Sequence, residues 1–234
     1  MDPFYQPEFQ PKVVEAPRMR QKLDAMSQAG TVVLIFGRLL ELYRMVPHLR
    51  RRPYTKSKVR WEVDSSAFVV SRRRSRDRHT KNDKVWHSMT EHVLTVVRKQ
   101  ISATSGKALL PNTRKYTLEF RRKYGDVNGV PTNEFVDYAP PTKASRLRDQ
   151  YGTEMRRNAE KTPALCEYFL DLFTDPGDLV VDLYAGTASM AMACIKTNRC
   201  YYGSEINDIV HTAAELRLGR LLSLQKRPDY AASL

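Results

Sequence analysis

The part of the sequence that most constrains the fold is a short apolar run that leads into a loop of small residues. Residues 179–183 (LVVDL) are apolar apart from Asp182, residues 184–188 (YAGTA) contain one glycine, and a helical pattern begins at Ser189. Such a loop lets the backbone approach a ligand closely, and the N-terminus of the following helix adds N–H donors. A strand at residues 200–204 completes a strand–helix–strand unit. The pattern predicts an α/β fold that binds a nucleotide-like ligand at this loop.

An acidic residue lies where such a ligand would present its ribose. Glu205 follows the second strand, and an acidic side chain about 20 residues after a glycine loop accepts hydrogen bonds from ribose hydroxyls in nucleoside-binding folds. One glycine alone is equally typical of an ordinary strand-to-helix turn. The position of Glu205 therefore favours a nucleoside site over an ordinary turn.

The rest of the chain contains further helix and strand patterns. They predict helices at residues 17–29, 38–51, 163–173 and 189–198 and strands at residues 31–36, 57–70, 91–98, 179–183 and 200–204. Residues 57–70 and 91–98 are expected to be antiparallel partners. Residues 31–36 (TVVLIF) are apolar almost throughout, which is typical of a strand buried on both faces in a parallel sheet. Residues 100–158 show no sustained period, and we predict an irregular insertion or a small subdomain there. For Trp61 and Trp86 we predict a packing role in preference to stacking on bases.

The sequence carries an excess of positive charge. Its 39 Lys and Arg and 26 Asp and Glu give a formal net charge of +13, which attracts polyanions. We predict nucleic acid as the partner rather than a membrane surface, because no basic amphipathic helix with an apolar face is present. The densest run is residues 71–84, where the residues expected to contact phosphates are Arg72, Arg73, Arg74, Arg76, Arg78, Lys81 and Lys84. A solvated loop and a nuclear-import signal are the alternatives for this run.

Several classes of protein are excluded by the sequence. No apolar stretch approaches the roughly 20 residues that cross a bilayer, and the N-terminus lacks the basic and apolar regions of a secretory signal. We therefore expect an intracellular protein, in a cytoplasm or nucleoid or in a nucleus. The 3 cysteines form no C-x-x-C pair, so neither a disulfide framework nor a metal site is predicted.

Three segments together resemble the C-terminal signature of amino-group DNA methyltransferases. They are residues 160–165 (EKTPAL), 176–187 (PGDLVVDLYAGT) and 203–207 (GSEIN). In the permuted β class of that family, a lysine-proline helix precedes a PGD turn, an apolar strand and a DPFxGxGT loop, and an acidic residue follows the next strand. The resemblance implies an α/β, Rossmann-like S-adenosylmethionine-dependent methyltransferase fold with circularly permuted motif order and a mostly parallel sheet flanked by helices.

The resemblance also implies where the functional residues lie. S-adenosylmethionine is the implied cofactor, and the residues that match the cofactor motifs are Lys161, Thr162, Asp182, Tyr184, Ala185, Gly186, Thr187, Ala188, Ser189 and Glu205. The catalytic tetrapeptide of the permuted order falls at Asp2, Pro3, Phe4 and Tyr5. The implied division is a catalytic half at residues 1–99, a target-recognition insert at 100–158 and a cofactor-binding half at 159–234.

The tetrapeptide suits the chemistry that the resemblance implies. The exocyclic amine of adenine or cytosine is a poor nucleophile, because its lone pair is delocalised into the ring. The Asp2 carboxylate and the Pro3 carbonyl would accept hydrogen bonds from this amine, and Tyr5 would stack on the base. The base must leave the duplex to reach such a pocket, which costs about a few kcal/mol and requires phosphate contacts to offset it.

The sequence departs from the family pattern at four points. Phe4 replaces a second proline, which removes a fixed φ from the turn. Ala188 replaces the second glycine of the cofactor loop, and a positive φ there would cost about 1 kcal/mol. Leu183 replaces a proline. Because Asp2 is the second residue, the strand that precedes the tetrapeptide in the family either lies upstream of this sequence or is missing from a truncated relative.

Two functions follow from these observations. The first is an enzyme that methylates adenine N6 or cytosine N4 in DNA, with RNA as the other nucleic-acid substrate. The second is an inactive methyltransferase fold that binds nucleic acid or acts with a catalytic partner subunit. A homodimer is compatible with either function.

Overall fold

The structure of the protein is a computed structural model. It describes residues 15–37, 39–50, 59–63, 68–72, 90–101, 108–109, 117–125, 135–138 and 160–225. The helices are α1 (Glu15–Met26), α2 (Leu39–Arg50), α3 (Leu118–Tyr124), α4 (Pro163–Phe173), α5 (Ser189–Lys196) and α6 (Asp208–Gln225). The strands are β1 (Val32–Gly37), β2 (Val59–Val63), β3 (Phe68–Arg72), β4 (Thr90–Ile101), β5 (Ala108–Leu109), β6 (Phe135–Tyr138), β7 (Leu179–Asp182) and β8 (Cys200–Gly203).

The chain divides into two compact units. The first unit comprises residues 2–137, and the second consists chiefly of residues 138–234. The boundary lies within residues 100–158, the segment predicted to form a recognition insert. The predicted three-part division is a finer one, and it stays a prediction.

The sheet of the first unit is built around β4. Strands β1, β2, β3 and β5 each pair with β4 in antiparallel orientation, and β6 lies beyond β3. The prediction of a mostly parallel sheet is therefore wrong for this unit, whereas the antiparallel pairing predicted for residues 57–70 and 91–98 is confirmed. Val33, Ile35 and Phe36 of β1 are buried, as predicted. An apolar run indicates that a strand is buried on both faces, but it carries no information on the direction of the neighbouring strand.

The predicted strand at residues 57–70 is two strands in the structure. β2 pairs Val63 with Val96, whereas β3 pairs Phe68 with Val93. Continuing the first register would pair Phe68 with Glu91, so the register on β4 shifts by two residues between β2 and β3. Hydrophobic alternation within one strand cannot predict such a shift, because register is a property of two paired strands.

Helix α1 is attached to the sheet of the first unit by polar side chains. The indole N–H of Trp61 in β2 donates to the Asp24 carboxylate at 2.7 Å, and Arg98 of β4 donates to the Asp24 carbonyl at 2.8 Å. Trp61 itself is only 4% exposed. The predicted packing role of Trp61 is therefore confirmed, whereas Trp86 lies outside the described residues.

The second unit begins with α4, whose start follows from local chemistry. The Thr162 hydroxyl accepts from the Leu165 N–H at 3.2 Å, and Pro163 occupies the first turn, where its missing N–H costs nothing. Strands β7 and β8 pair in parallel from Leu179 opposite Cys200 to Asp182 opposite Gly203. The predicted strand–helix–strand unit is confirmed, with α5 as its crossover helix.

The interior of the second unit lies between α4 and α5. Cys166 and Leu170 of α4 contact Ala193 and Cys194 of α5, and all four are buried. Within the described ranges, none of the helices is both long and apolar enough to cross a membrane. Nor do the described residues bring together three or more His, Cys, Asp or Glu side chains that could bind a metal ion.

Candidate functional site

The loop between β7 and α5 is joined to the end of β8 by backbone hydrogen bonds. The Ala185 N–H donates to the Ser204 carbonyl at 2.9 Å, and the Ser204 N–H donates to the Asp182 carbonyl at 2.9 Å. The buried Asp182 carboxylate also accepts from the Tyr184 N–H at 3.1 Å. The loop is thus fixed at the carboxyl ends of two parallel strands, which is where open α/β sheets bind ligands.

Glu205 links the glycine of this loop to the chain after β8. One carboxylate oxygen accepts from the Gly186 N–H at 2.9 Å, and the other accepts from the Asn207 N–H at 3.0 Å. A carboxylate offers about four lone-pair sites in all, so both oxygens can still accept a hydrogen bond from a ligand hydroxyl. The structure therefore brings together Gly186 and Glu205, the two residues on which the predicted nucleoside site depends.

Ala188 adopts a backbone conformation that favours glycine. Its φ is 61° and its ψ is 30°, and its side chain is 2% exposed. The family's second glycine is expected at this position, and the left-handed conformation explains why a glycine suits it. An alanine there costs about 1–2 kcal/mol relative to an ordinary conformation.

Exposed apolar side chains lie next to these polar groups. Ile206 is 93% exposed directly after Glu205, and Tyr184 is 41% exposed within the loop. Apolar surface beside a few convergent polar groups suits the flat ring of a nucleoside base. Tyr184 was predicted from the sequence, and Ile206 was not. The signal that could have identified it is an isoleucine between two polar residues, Glu205 and Asn207, just after a strand.

The segment before α4 is linked to the loop through Arg217 of α6. Its Nη1 donates to Oε1 of Glu160 at 3.0 Å and to the carbonyl of Thr187 at 2.8 Å. Glu160 directly precedes the predicted cofactor residues Lys161 and Thr162. The sequence analysis gave no role to Arg217 or Glu160, because the two residues are 57 positions apart and neither has a local signal.

Three weak acids interact electrostatically with Asp182. Burial, assisted by the negative charge of Asp182, raises the pKa of Cys166 to about 12. Burial also raises the pKa of Cys194 to about 12 and the pKa of Tyr201 well above its usual range. Thiols that stay protonated are not nucleophiles. Cys166 and Cys194 are therefore packing residues, and Cys200 is an exposed thiol on β8.

Part of the predicted site lies outside the described residues. This holds for the tetrapeptide Asp2, Pro3, Phe4 and Tyr5 and for Arg73, Arg74, Arg76, Arg78, Lys81 and Lys84. Arg72 is the last residue of β3, and its side chain is also outside the description. The catalytic and phosphate-binding roles of these residues stay predictions.

Helix α3 carries a group of cations that the sequence analysis missed. Arg121, Arg122 and Lys123 follow Phe120, which is 2% exposed and anchors the helix, and all three cations are exposed. The Thr117 hydroxyl caps α3 by accepting from the Phe120 N–H at 3.0 Å. A helix of 7 residues is too short to show a period, which is why residues 100–158 gave no helical signal.

A comparison with protein families finds a match over most of the chain. The family described as DNA methylase, of the N6/N4 type, matches residues 41–215. A protein named as the probable Mod subunit of the HindVI type III restriction-modification enzyme of Haemophilus influenzae is 35% identical over 66 residues. These residues are 28% of this chain and only 9% of that protein, so the chain spans a small part of this relative's length.

Solved structures resemble the chain over most of its length. The complex of M1.HpyAVI with SAM has a TM-score of 0.58 at 14% identity and covers 93% of this chain and 85% of its own. TTHA0409 of Thermus thermophilus, described as a putative DNA modification methylase and complexed with S-adenosyl-L-methionine, has a TM-score of 0.53 at 14% identity over 89% of this chain and 77% of its own. The cytosine-N4-specific PvuII DNA methyltransferase has a TM-score of 0.51 at 12% identity over 80% and 62%. At these identities the likeness concerns the fold alone.

Proposed function

The chain belongs to the DNA methylase family of the N6/N4 type, and we propose that it transfers the methyl group of S-adenosylmethionine to an exocyclic amine of adenine or cytosine in DNA. The family assignment agrees with the resemblance found in the sequence. The substrate, the cofactor and the roles of individual residues are proposed.

The observation that carries the proposal is the contact between Glu205 and the glycine loop. This contact sets a carboxylate beside backbone N–H groups and beside the exposed Ile206. A ribose needs acceptors for two hydroxyls, and an adenine ring needs an apolar surface, so the residues present fit S-adenosylmethionine. Glu205 would hold the ribose, and Asp182 with the loop 184–189 and Lys161 and Thr162 would hold the amino-acid end.

The chain's own residues would prepare the target amine. When bound, S-adenosylmethionine supplies an activated methyl group on a sulfonium sulfur. The Asp2 carboxylate and the Pro3 carbonyl would accept hydrogen bonds from the amine hydrogens and so free its lone pair for attack. Tyr5 would hold the extruded base by stacking. Phe4 leaves this turn less constrained than a proline would, which lowers the expected rate.

Calorimetry with S-adenosylmethionine and with its demethylated product tests the cofactor site. Asp182→Ala and Glu205→Ala should each weaken binding by about 1.5–3 kcal/mol, because a charge-assisted hydrogen bond is removed. Glu215→Ala is the matched control, since this acid of α6 is 68% exposed and its ion pair with His211 lies within α6, so affinity should stay unchanged. A folded protein that binds neither ligand at millimolar concentration would contradict the cofactor assignment.

Transfer of a labelled methyl group to DNA tests the chemistry. Asp2→Ala should abolish transfer and leave cofactor affinity nearly unchanged, because the deleted interaction acts mainly in the transition state. Phe4→Pro should raise transfer, since proline presets the turn. The two variants probe the same turn in opposite directions. Loss of cofactor binding in Asp2→Ala would argue against a catalytic role.

The +13 net charge and two basic segments support contact with the DNA backbone. Replacing the arginines of residues 72–78, or Arg121, Arg122 and Lys123 of α3, with alanine should weaken binding to all DNA sequences. Removing one phosphate contact should reduce the slope of log K against log salt by about 0.9. A control removes three exposed cations from α1 and α2 of the same unit, Lys22, Arg44 and Arg50. Equal slopes for the α3 variant and the control would exclude α3 as a contact.

A second candidate function is an inactive methyltransferase fold that binds nucleic acid or a catalytic partner subunit. The left-handed Ala188 favours it, because the loop lacks the glycine that would relieve strain there. This candidate predicts cofactor and DNA binding without methyl transfer to any DNA or RNA substrate, including by Phe4→Pro. Sedimentation would show whether the chain forms a homodimer. Methyl transfer by the chain alone would eliminate this candidate.

A further inference from the structure

Arg217 is an arginine with a largely buried side chain, and its two contacts lie on different segments of the second unit. Its side chain is 12% exposed and that of Glu160, its ionic partner, is 7% exposed. The same nitrogen, Nη1, donates to the Glu160 carboxylate at 3.0 Å and to the Thr187 carbonyl at 2.8 Å. One planar NH₂ group therefore joins the residue before Lys161, the glycine loop and α6.

The carbonyl that Arg217 holds lies at the strained point of the loop. Thr187 directly precedes Ala188, whose φ is 61°. The loop is also held at Gly186 by Glu205. The two charged side chains thus bind two peptide groups of one loop, Glu205 through the Gly186 N–H and Arg217 through the Thr187 carbonyl. A strained conformation persists only where surrounding contacts define it completely.

We propose that Arg217 is a positioning residue for the cofactor loop, which keeps the loop and the segment 160–162 in the geometry that binds the cofactor. Arg217 is not proposed to touch the cofactor. Only the affinity measurement rests on the proposed function, because it requires that the chain binds S-adenosylmethionine. Its geometric part, that Arg217 holds the loop, is tested separately in the ligand-free protein.

The chain offers a matched control in Arg199. Its side chain is 7% exposed and forms an ion pair with Asp171 at 3.3 Å, and it donates to the carbonyls of Thr174 and Thr197. Arg199 is thus a buried arginine with a carboxylate and backbone carbonyls as partners, like Arg217. It lies beyond the C-terminal end of α5, whereas the loop lies at the N-terminal end, about 12 Å away along an eight-residue helix.

The first measurement is the affinity of full-length Arg217→Met and Arg199→Met for S-adenosylmethionine by calorimetry. Both variants lose a buried ion pair and should show similar losses of thermal stability. We expect Arg217→Met to bind about tenfold more weakly than the wild type, because a charge-assisted hydrogen bond to the loop is removed. Arg199→Met should bind within about twofold of the wild type. Equal weakening in both variants, or none in Arg217→Met, overturns the proposal.

The second measurement is amide hydrogen exchange in the ligand-free variants. The N–H groups of Ala185, Gly186 and Ala188 donate to Ser204, Glu205 and Ala185, so their exchange reports on the loop. They should exchange about tenfold faster in Arg217→Met than in Arg199→Met. Equal exchange overturns the proposal. If the wild type binds no S-adenosylmethionine, the proposed function fails, and the exchange result alone decides whether Arg217 holds the loop.

Conservative variants separate charge from geometry. Arg217→Lys keeps the positive charge but lacks the planar NH₂ group that reaches both acceptors, so loop exchange and affinity should be intermediate between those of wild type and Arg217→Met. Glu160→Gln keeps an acceptor for Nη1 and should resemble the wild type in loop exchange. The proposal is overturned if the loop N–H groups exchange as fast in Arg217→Lys as in Arg217→Met while both variants bind S-adenosylmethionine with wild-type affinity.

Discussion

Two groups of polar side chains, one in each unit, serve different purposes. In the first unit, Trp61 and Arg98 both donate to Asp24, and these bonds join α1 to β2 and β4. In the second unit, Glu205 and Arg217 bond the backbone of a single loop. The first arrangement holds secondary-structure elements together, and the second fixes the path of a loop that faces a candidate ligand site.

The described residues also differ between the units in backbone strain. Within the described ranges, the non-glycine residues with positive φ are Ala188 and Asn198, and both lie in the second unit. Ala188 lies in the loop, where such a conformation costs about 1–3 kcal/mol, whereas Asn198 follows the C-cap of α5, a position at which a left-handed asparagine is common. Stability and loop geometry are therefore separate requirements in this chain. Substitutions at the contacts of the first unit should change stability, and substitutions at the loop contacts should change loop geometry.

The largest expected effect is on the stability of the first unit. Trp61→Ala should lower the free energy of unfolding by about 3–5 kcal/mol, because a buried aromatic side chain is removed from the core. Trp61→Phe keeps most of the apolar contact and loses the hydrogen bond to Asp24, so a smaller loss of about 1–2 kcal/mol is expected. Urea denaturation measures both. A loss below about 1 kcal/mol for Trp61→Ala would contradict the role of this residue in joining α1 to the sheet.

The next effect is an alkaline loss of stability in the second unit. The pKa of Cys166 and of Cys194 is raised to about 12 in the folded state. As pH rises, the thiols ionise in the unfolded chain before they ionise in the folded protein. The buried neutral thiols therefore stabilise the fold fully below the unfolded pKa, and this stabilisation is lost as pH rises from about 9 towards 12.

Each of these thiols should contribute a loss of about 1 kcal/mol between about pH 8 and pH 10. Cys166→Ala should therefore make the fall of unfolding free energy with pH less steep. Cys200→Ala is the control and should leave the fall unchanged, because this thiol is exposed to water in both states. Identical pH dependence in Cys166→Ala and wild type would refute the assignment.

Two buried hydroxyls offer a direct comparison between the units. Thr95 Oγ1 in the first unit and Tyr201 Oη in the second have no hydrogen-bond partner within the described structure. Thr95→Val and Tyr201→Phe should each raise the free energy of unfolding by about 1 kcal/mol, because an unsatisfied polar group leaves the interior. Thermal denaturation measures this. Destabilisation by either substitution would show that its hydroxyl is satisfied by water.

The smallest net effect is expected at Ala188. Ala188→Gly relieves about 1–2 kcal/mol of strain, loses about 0.8 kcal/mol of buried methyl group, and raises the entropy of the unfolded chain. The change in unfolding free energy should stay within about 1 kcal/mol. Ala191→Gly loses a buried methyl from an ordinary helical position of α5 and should be clearly destabilising. The difference between the two variants isolates the strain, and equal losses would mean that Ala188 is not strained.

Much of the second unit could be predicted from the sequence because its signals are local. The Thr162 cap, the Pro163 helix start and the loop around Gly186 each depend on residues within a few positions of one another. The family has a glycine at this position, so the sequence indicated that a positive φ at Ala188 would carry a cost. Only the structure shows that this φ is 61°. Ile206 was missed because an isoleucine between two polar residues is a weak signal, and only the structure shows that it is 93% exposed.

The first unit was harder to predict because the pairing of its strands depends on residues far apart in the sequence. Residues 31–36 and 91–98 were recognised as strands, but their antiparallel pairing was not, because burial of a strand is encoded locally and its direction is not. The split of residues 57–70 into β2 and β3 depends on a register with β4, which no single strand contains.

By itself, the sequence determined the strand–helix–strand unit, its small-residue loop and the acid that follows the second strand, because periodicity and turn chemistry act over short stretches of chain. Only the tertiary structure decided that Glu205 bonds Gly186 and that Arg217 bonds both Glu160 and Thr187. The partners of Arg217 are 30 and 57 residues away from it. A contact at such separation forms because the packing of α6 brings the groups together, and the spacing of residues along the chain does not encode that packing.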